Sequence, residues 1–159
     1  MDNTMTFSQG CTDLITSVEG FSASPYVDPG TGAEPITQGY GSTFTCDGAK
    51  VTMSNPPWTK DYAVQQLLCY LDKVALPCLQ ESITSDINQN QLNALGSFVY
   101  NIGTDNFKSS TVLREVNINP SDPNIRSAIY MWNKGGGKVL NGLVARRIKE
   151  ADLYFSNPT

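Results

Sequence analysis

The chain has 159 residues, 40% of them hydrophobic, and a formal net charge of −4. That length suits one domain with a real core, and the acidic balance argues against nucleic acid as a partner. There is no histidine, and the four cysteines form no C-x-x-C pair; this excludes an ordinary zinc site and any Ser-His or Cys-His catalytic pair, and no metal or other cofactor is expected.

The charges are unevenly placed. Residues 1–58 carry six acids and one base, Lys50, whereas residues 106–149 carry eight bases against Glu115 and Asp122. Such a division permits an anionic polymer to be held by the basic half while the acidic half does chemistry. An ordinary solvated mixture of charges fits equally well. No apolar run reaches the roughly 20 residues of a membrane helix, so stable membrane insertion is not expected. The opening MDNTMTFSQGCTDLI has neither the basic start nor the apolar core of a secretion signal. Cys11, Cys46, Cys69 and Cys78 allow three pairings. One straight helix would hold Cys69 and Cys78 about 13 Å apart, too far to join. Burial as small hydrophobes is the expectation for most of the four.

Taken in order, Phe7, Cys11, Leu14, Ile15 and Val18 recur on one helical face and predict a first helix over 7–19. Ser8 would cap it and Gly20 would stop it. Glu19 then stands at the C-terminal end, where the helix dipole disfavours a negative charge; a carboxyl so placed suits a proton donor. Turn signals through 21–58 predict a small β-rich lobe of short strands, with a hairpin at Asp47-Gly48. Thr59 caps the longest helix, which runs to about Leu76, where Pro77 marks a break or kink. Its apolar face is read as Tyr62, Val64, Leu67, Leu68, Leu71, Val74 and Ala75.

Asn88 opens a helix that Gly103 stops, and Ser109 or Ser110 caps a short one over TVLREVN. Asp122-Pro123 opens NIRSAIYMWN, with Met131 and Trp132 expected in the core rather than as a sugar platform. Gly135-Gly136-Gly137 reads as a flexible turn before a last helix, LVARRIKEADLYF. The outline is α+β and one domain over 1–159. A small lobe at about 20–58 and a mainly helical lobe at 59–159 meet at a long helix, with the first helix packed on the helical lobe and a cleft between lobes.

Glu19, Asp28 and Thr37 stand nine residues apart in a glycine- and proline-rich stretch that shapes a loop-rich site. Glu19-Gly20, Tyr26-x-Asp28 and Thr37-x-Gly39-Tyr40-Gly41 together resemble the active-site stretch of phage-type lysozymes, glycoside hydrolase family 24. Further blocks follow in the same order: Gln91 to Gly103, Phe107 to Leu113, Trp132-Asn133-x-Gly135-Gly136, and Gly142-Leu143-x-x-Arg146-Arg147-x-x-Glu150. A Glu-Gly or Gly-Tyr-Gly alone would be weak, but ordered blocks over nearly the whole chain are specific.

The resemblance implies a two-lobed lysozyme-like fold and a muramidase, an endolysin that cleaves the β-1,4 bond from N-acetylmuramic acid to N-acetylglucosamine in peptidoglycan glycan strands. It implies Glu19 as general acid, Asp28 orienting or deprotonating water, and Thr37 holding that water. Inversion would follow, with the carboxyls about 6.5–9.5 Å apart. Gly41, Tyr100, Asn101, Ser110 and Arg146 would contact substrate, although core or capping roles suit Tyr100, Asn101 and Ser110 equally; Arg146 would also approach Glu19. A monomer is expected, made in the host cytoplasm and delivered to the wall through a lesion made by another protein, a holin. Two departures stand out. The loop between Asp28 and Thr37 is three residues longer than usual and adds Glu34, a rival acid, and Ser42 replaces a common histidine. Rival readings are a lytic transglycosylase, which needs no Asp28 or Thr37, and an inactive wall-binding or virion-associated module.

Overall fold

A computed structural model describes residues 1–158, which form α1 (Gln9–Val18), β1 (Ser22–Tyr26), β2 (Thr37–Gly39), α2 (Lys60–Tyr70), a π-helical turn (Leu71–Ala75), α3 (Leu76–Ser82), α4 (Gln89–Ile102), α5 (Thr104–Lys108), α6 (Thr111–Ile118), α7 (Asn124–Tyr130), β3 (Lys134–Gly135), β4 (Lys138–Val139) and α8 (Asn141–Tyr154). The α+β expectation holds. Both sheets are antiparallel pairs, β1 with β2 and β3 with β4. No described helix is long and apolar enough to cross a membrane.

Two separate cores define the lobes. The larger gathers Cys11 and Ile15 of α1, Leu71 to Leu79 of the long helix, Leu92 to Val99 of α4 and Ala151 and Tyr154 of α8. The smaller holds four buried residues, Ile36, Val51, Trp58 and Ala63, with Phe21 and Tyr40 packed beside them. The first helix thus belongs to the large core.

Several local expectations are corrected. Ser8 is extended, but its hydroxyl caps nothing in α1. It accepts instead from the Asn93 amide at 2.7 Å, while the Ser8 N–H donates to Asn93 Oδ1 at 3.1 Å. The expected cap has become a clasp between α1 and α4. Pro77 does not break the long helix. The backbone stays right-handed helical from α2 through the π turn into α3. The Leu76 N–H reaches back five residues to the Leu71 carbonyl, and this wider turn makes room for the proline ring and its missing N–H. The apolar face is also narrower than its composition suggests. Ala63, Leu67, Leu71, Ala75 and Leu79 are buried, whereas Tyr62, Leu68 and Val74 are exposed. Gln66 joins the buried stripe because its Oε1 accepts from the Cys46 N–H at 2.7 Å.

Elsewhere the chain punctuation works as read. Asn88 and Gln91 form a complete capping box, and Gly103 ends α4 with φ 88°. Asp47-Gly48 makes a turn closed by Thr45 and Ala49, although only the Phe44–Lys50 bridge extends it. Gly135-Gly136-Gly137 is no loose turn but the tip of the β3–β4 hairpin, with φ 58° and 79° at Gly136 and Gly137, as a tight type I′ connection requires. Trp132 packs on Phe98 at 6.3 Å, but Met131 is exposed rather than core.

Cys46 and Cys69 form a disulfide across 23 residues, joining the small lobe to α2, while Cys11 and Cys78 are free and buried. Closing a loop of that length removes chain entropy from the unfolded state, worth about 3 kcal/mol. Cys46→Ser should therefore lower unfolding stability by about that amount in urea titration. Wild type measured under a reducing agent should fall to the same level.

Candidate active site

The site begins where α1 stops. Glu19 leaves the helix with φ −93° and ψ 124° while its N–H still bonds to the Ile15 carbonyl at 2.8 Å. No left-handed glycine performs the stop, since Gly20 is absent from the positive-φ residues. The extended turn sends the Glu19 carboxyl to the boundary between the lobes, where Arg146 Nη1 of α8 donates to Oε1. Arg146 is 4% exposed and Glu19 22%, so this pair is held largely away from water, where charge pairing is far less screened than on a surface.

Behind Arg146 lies a second layer of charge. Arg146 Nε meets Glu150 Oε2 at 3.2 Å, and its Nη2 donates to the Ser97 carbonyl at 3.0 Å. The Ser97 hydroxyl donates to the same Glu150 oxygen at 2.6 Å. Arg147 Nε stands 2.9 Å from Glu150 Oε1, an ion pair whose angles do not complete a hydrogen bond. Its Nη2 donates to Asn101 Oδ1 at 2.5 Å, and its guanidinium lies over the Phe98 ring at 5.1 Å. Burial pulls the Arg147 guanidinium down to about 10, with Glu150 opposing. Burial likewise pushes the Glu150 carboxyl up, with Arg147 and then Arg146 opposing. Two arginines and two carboxylates thus share one nearly dry cluster, each charge dependent on the others.

The cleft in front of Glu19 has a volume of about 580 Å³ and brings Glu19, Asp28, Thr37, Gly41, Tyr100 and Asn101 together. Gly41 is required here. Its φ is +83°, and a Cβ would sit 2.9 Å from Glu19 Oε2, so the backbone of the small lobe can close on the carboxyl only without a side chain. Tyr26, also in the lining, reports how near the acids are: burial first, then Glu19 and Asp28, push its phenol up. Tyr100 donates to the Tyr40 carbonyl at 2.6 Å and thereby ties α4 to the small lobe. Burial pushes this phenol up as well. Ser42, the residue in the unusual position, is buried, and its backbone N–H and carbonyl exchange bonds with Gln38 at 2.9 Å within the small lobe.

The lengthened loop folds on itself. Asp28 Oδ2 accepts from the Thr31 N–H at 3.1 Å, and the Asp28 N–H and carbonyl bond to Ala33 and Gly32. The Thr31 hydroxyl donates to the Glu34 carbonyl at 2.9 Å. The extra residues are taken up in this turn, which leaves Thr37 on β2 facing the cleft. Glu34 is exposed and outside the cleft lining.

Two expected substrate contacts lie elsewhere. Ser110 is buried; its hydroxyl accepts from the Leu113 N–H at 3.1 Å and donates to the Phe107 carbonyl at 2.7 Å, so it is occupied in capping α6. Arg146 approaches Glu19 as expected, but from behind it rather than as part of the cleft lining. Conversely, sequence reasoning passed over Tyr26, Phe44 and Tyr70 in the lining and Ser97 and Glu150 in the support. The spacing Arg146-Arg147-x-x-Glu150 was the available signal for the last of these.

The fold and its acid-lined cleft define a lysozyme-like protein. The Phage lysozyme family pattern matches residues 16–150, and the chain belongs to that family. It is 33% identical over 156 residues to the endolysin of Bacillus phage B103, covering 96% of this chain and 55% of that protein. The chain therefore spans about half the length of that relative. Among solved structures, the endolysin from Escherichia coli O157:H7 phage FAHEc1 superposes with TM-score 0.82 at 31% identity, covering 98% of both chains. The muramidase domain of SpmX from Asticaccaulis excentricus gives TM-score 0.76 at 30% identity, covering 96% of this chain and 99% of that one.

Removing one partner from a buried charge cluster leaves the rest uncompensated. Glu150→Gln should cost about 3–5 kcal/mol of unfolding free energy, and Ser97→Ala about 1–3 kcal/mol, both read by urea titration. A Glu150→Gln loss no larger than that of a surface carboxylate would contradict the assigned role.

Proposed function

We propose that this chain is a peptidoglycan hydrolase, a muramidase that cuts the β-1,4 bond between N-acetylmuramic acid and N-acetylglucosamine. The observation that carries this reading is a single cleft in which Glu19 on the large lobe, held by Arg146, faces Asp28 and Thr37 on the small lobe. In the proposed reaction Glu19 gives its proton to the glycosidic oxygen as the C–O bond breaks. A water attacks the anomeric carbon from the opposite side, its proton passing to Asp28 while the Thr37 hydroxyl fixes its position. The product is an inverted hemiacetal, and two carboxyls serve one displacement. Tyr100 and Asn101 line the cleft and are the proposed glycan contacts, and Gly41 lets the small lobe approach Glu19. Arg146 is a positioning residue, since it acts through Glu19. The proposed setting is host lysis by a monomer made in the cytoplasm, which reaches the wall through a holin lesion.

Glu19→Gln should remove about 10²–10⁴ of the lytic rate without loss of the folded circular-dichroism signal, measured as turbidity loss of purified peptidoglycan. New reducing ends are expected from wild type; 1,6-anhydro ends would instead mean a transglycosylase. Proton NMR of fresh product should show the α anomer first. Gly41→Ala should cost about 10²-fold, because displacing Glu19 or the small lobe by about 1 Å disturbs the reacting geometry. Wild-type rates in Gly41→Ala would remove Glu19 from the reaction.

A further inference from the structure

Tyr130 of α7, Asn133 just before β3, and Val144, Arg147 and Ile148 of α8 line a cavity of about 130 Å³. It shares no lining residue with the catalytic cleft. Arg147 is the link between the two, because its Nη2 donates to Asn101 Oδ1 and Asn101 lines the cleft.

Arg147 is fully buried, yet its donors are only partly used. Nη2 is taken by Asn101, Nε faces Glu150 without completing a hydrogen bond, and Nη1 has no partner among the described residues. Glu150 is divided between two arginines, and Arg146 makes the completed bond to it. Arg147 is therefore the less compensated of the two cations, in keeping with the fall of its guanidinium to about 10 on burial. A buried donor without a partner is costly, and one that borders a cavity is where a ligand can offset that cost.

The lining sets the sign of such a ligand. It contains no carboxylate, and Asn133 brings a side-chain amide. The Tyr130 hydroxyl accepts from Arg126 Nη1 at 2.8 Å, which leaves its own proton for donation. Residues 130–149, which hold every lining residue, carry five bases and no acid in a chain of net charge −4. Unused donors in a positive local field draw an anion. The volume suits an ion of a few heavy atoms rather than a nucleotide or a sugar chain. Ile148 is 41% exposed and puts the mouth of the cavity at the surface.

We propose that this cavity is a binding site for a small oxyanion, a phosphate or a short carboxylate, held by Arg147 Nη1 with Asn133 and Tyr130 donating beside it. The ion supplies the counter-charge that a shared Glu150 does not, and it steadies Arg147 against Asn101 at the cleft. Binding does not depend on the reaction assigned to the cleft.

The test titrates phosphate and, separately, acetate, with ionic strength held by sodium gluconate, whose anion is too large for the cavity. The thermal midpoint of wild type should rise along a saturating curve, by about 3–5 °C at ten times Kd; the tighter of the two anions names the preferred group. In Val144→Phe, which fills the cavity and keeps Arg147, only the shallow linear rise of general salt exclusion should remain. Asn133→Leu should weaken binding about tenfold. In arginine side-chain ¹H–¹⁵N spectra of wild type, the Arg147 Nη signals should move with the same half-saturation while those of exposed Arg114 stay still. Arg147 signals that do not respond to either anion would mean that water alone serves Nη1 and would overturn the site. So would equal saturating curves in wild type and Val144→Phe. If Val144→Phe does not fold, the wild-type spectra decide.

Discussion

The contact between Glu19 and Arg146 is the interaction on which the site depends. It joins the end of α1 to the middle of α8, and it places a carboxyl at the boundary of two lobes. Its geometry is inherited from behind, because Arg146 is itself fixed by Glu150 and by the Ser97 carbonyl. Glu150 in turn takes the Ser97 hydroxyl and faces Arg147. Glu19 is the one member of this cluster that reaches the cleft, and the other three spend their charges on holding it. An ion cluster this dry adds little net stability over well-packed apolar groups; its value here lies in fixing where one carboxyl points.

The opposing wall must come close without disturbing that carboxyl. Gly41 supplies the close approach, and the bond from Tyr100 to the Tyr40 carbonyl ties the small lobe to α4. On the far side, the disulfide and the Cys46–Gln66 bond attach the lobe to α2. The small lobe is therefore fastened at Tyr40 and again at Cys46, both downstream of Asp28 and Thr37 in the chain. The long loop leading to Thr37 tolerates extra residues because its own hydrogen bonds close it locally.

Much of this was legible before any coordinates. Elements with strong local chemistry, such as the Asn88–Gln91 capping box and the Thr59 cap, fall where the residues put them. So does the grouping of Glu19, Asp28 and Thr37, which came from ordered motif blocks rather than from spacing. What the sequence hid depends on tertiary context. A proline in a helix reads as a break, since nothing in the period announces a π turn upstream of Pro77. The broad apolar face of α2 misled because Leu68 and Val74 are apolar yet exposed, whereas Gln66 is polar and buried by a partner 20 residues away. Cys46 and Cys69 lie in different lobes, so no local pattern could select them from three pairings. Ser110 takes the capping alternative that the residues left open, because a capping hydroxyl and a substrate contact look alike in one dimension.

The two cores are unequal, and the long helix serves both. Ala63 sits in the small core, while Leu67 onward belongs to the large one. With four buried apolar residues, the small core is too slight to persist by itself, and its order is borrowed from the helix and the crosslink. Segments with few buried contacts open at lower free energy than the body of a protein. The cleft thus has one stiff wall and one soft wall: Glu19 stands on the stiff one, and Asp28 and Thr37 ride on the wall that yields more easily when the cleft has to widen.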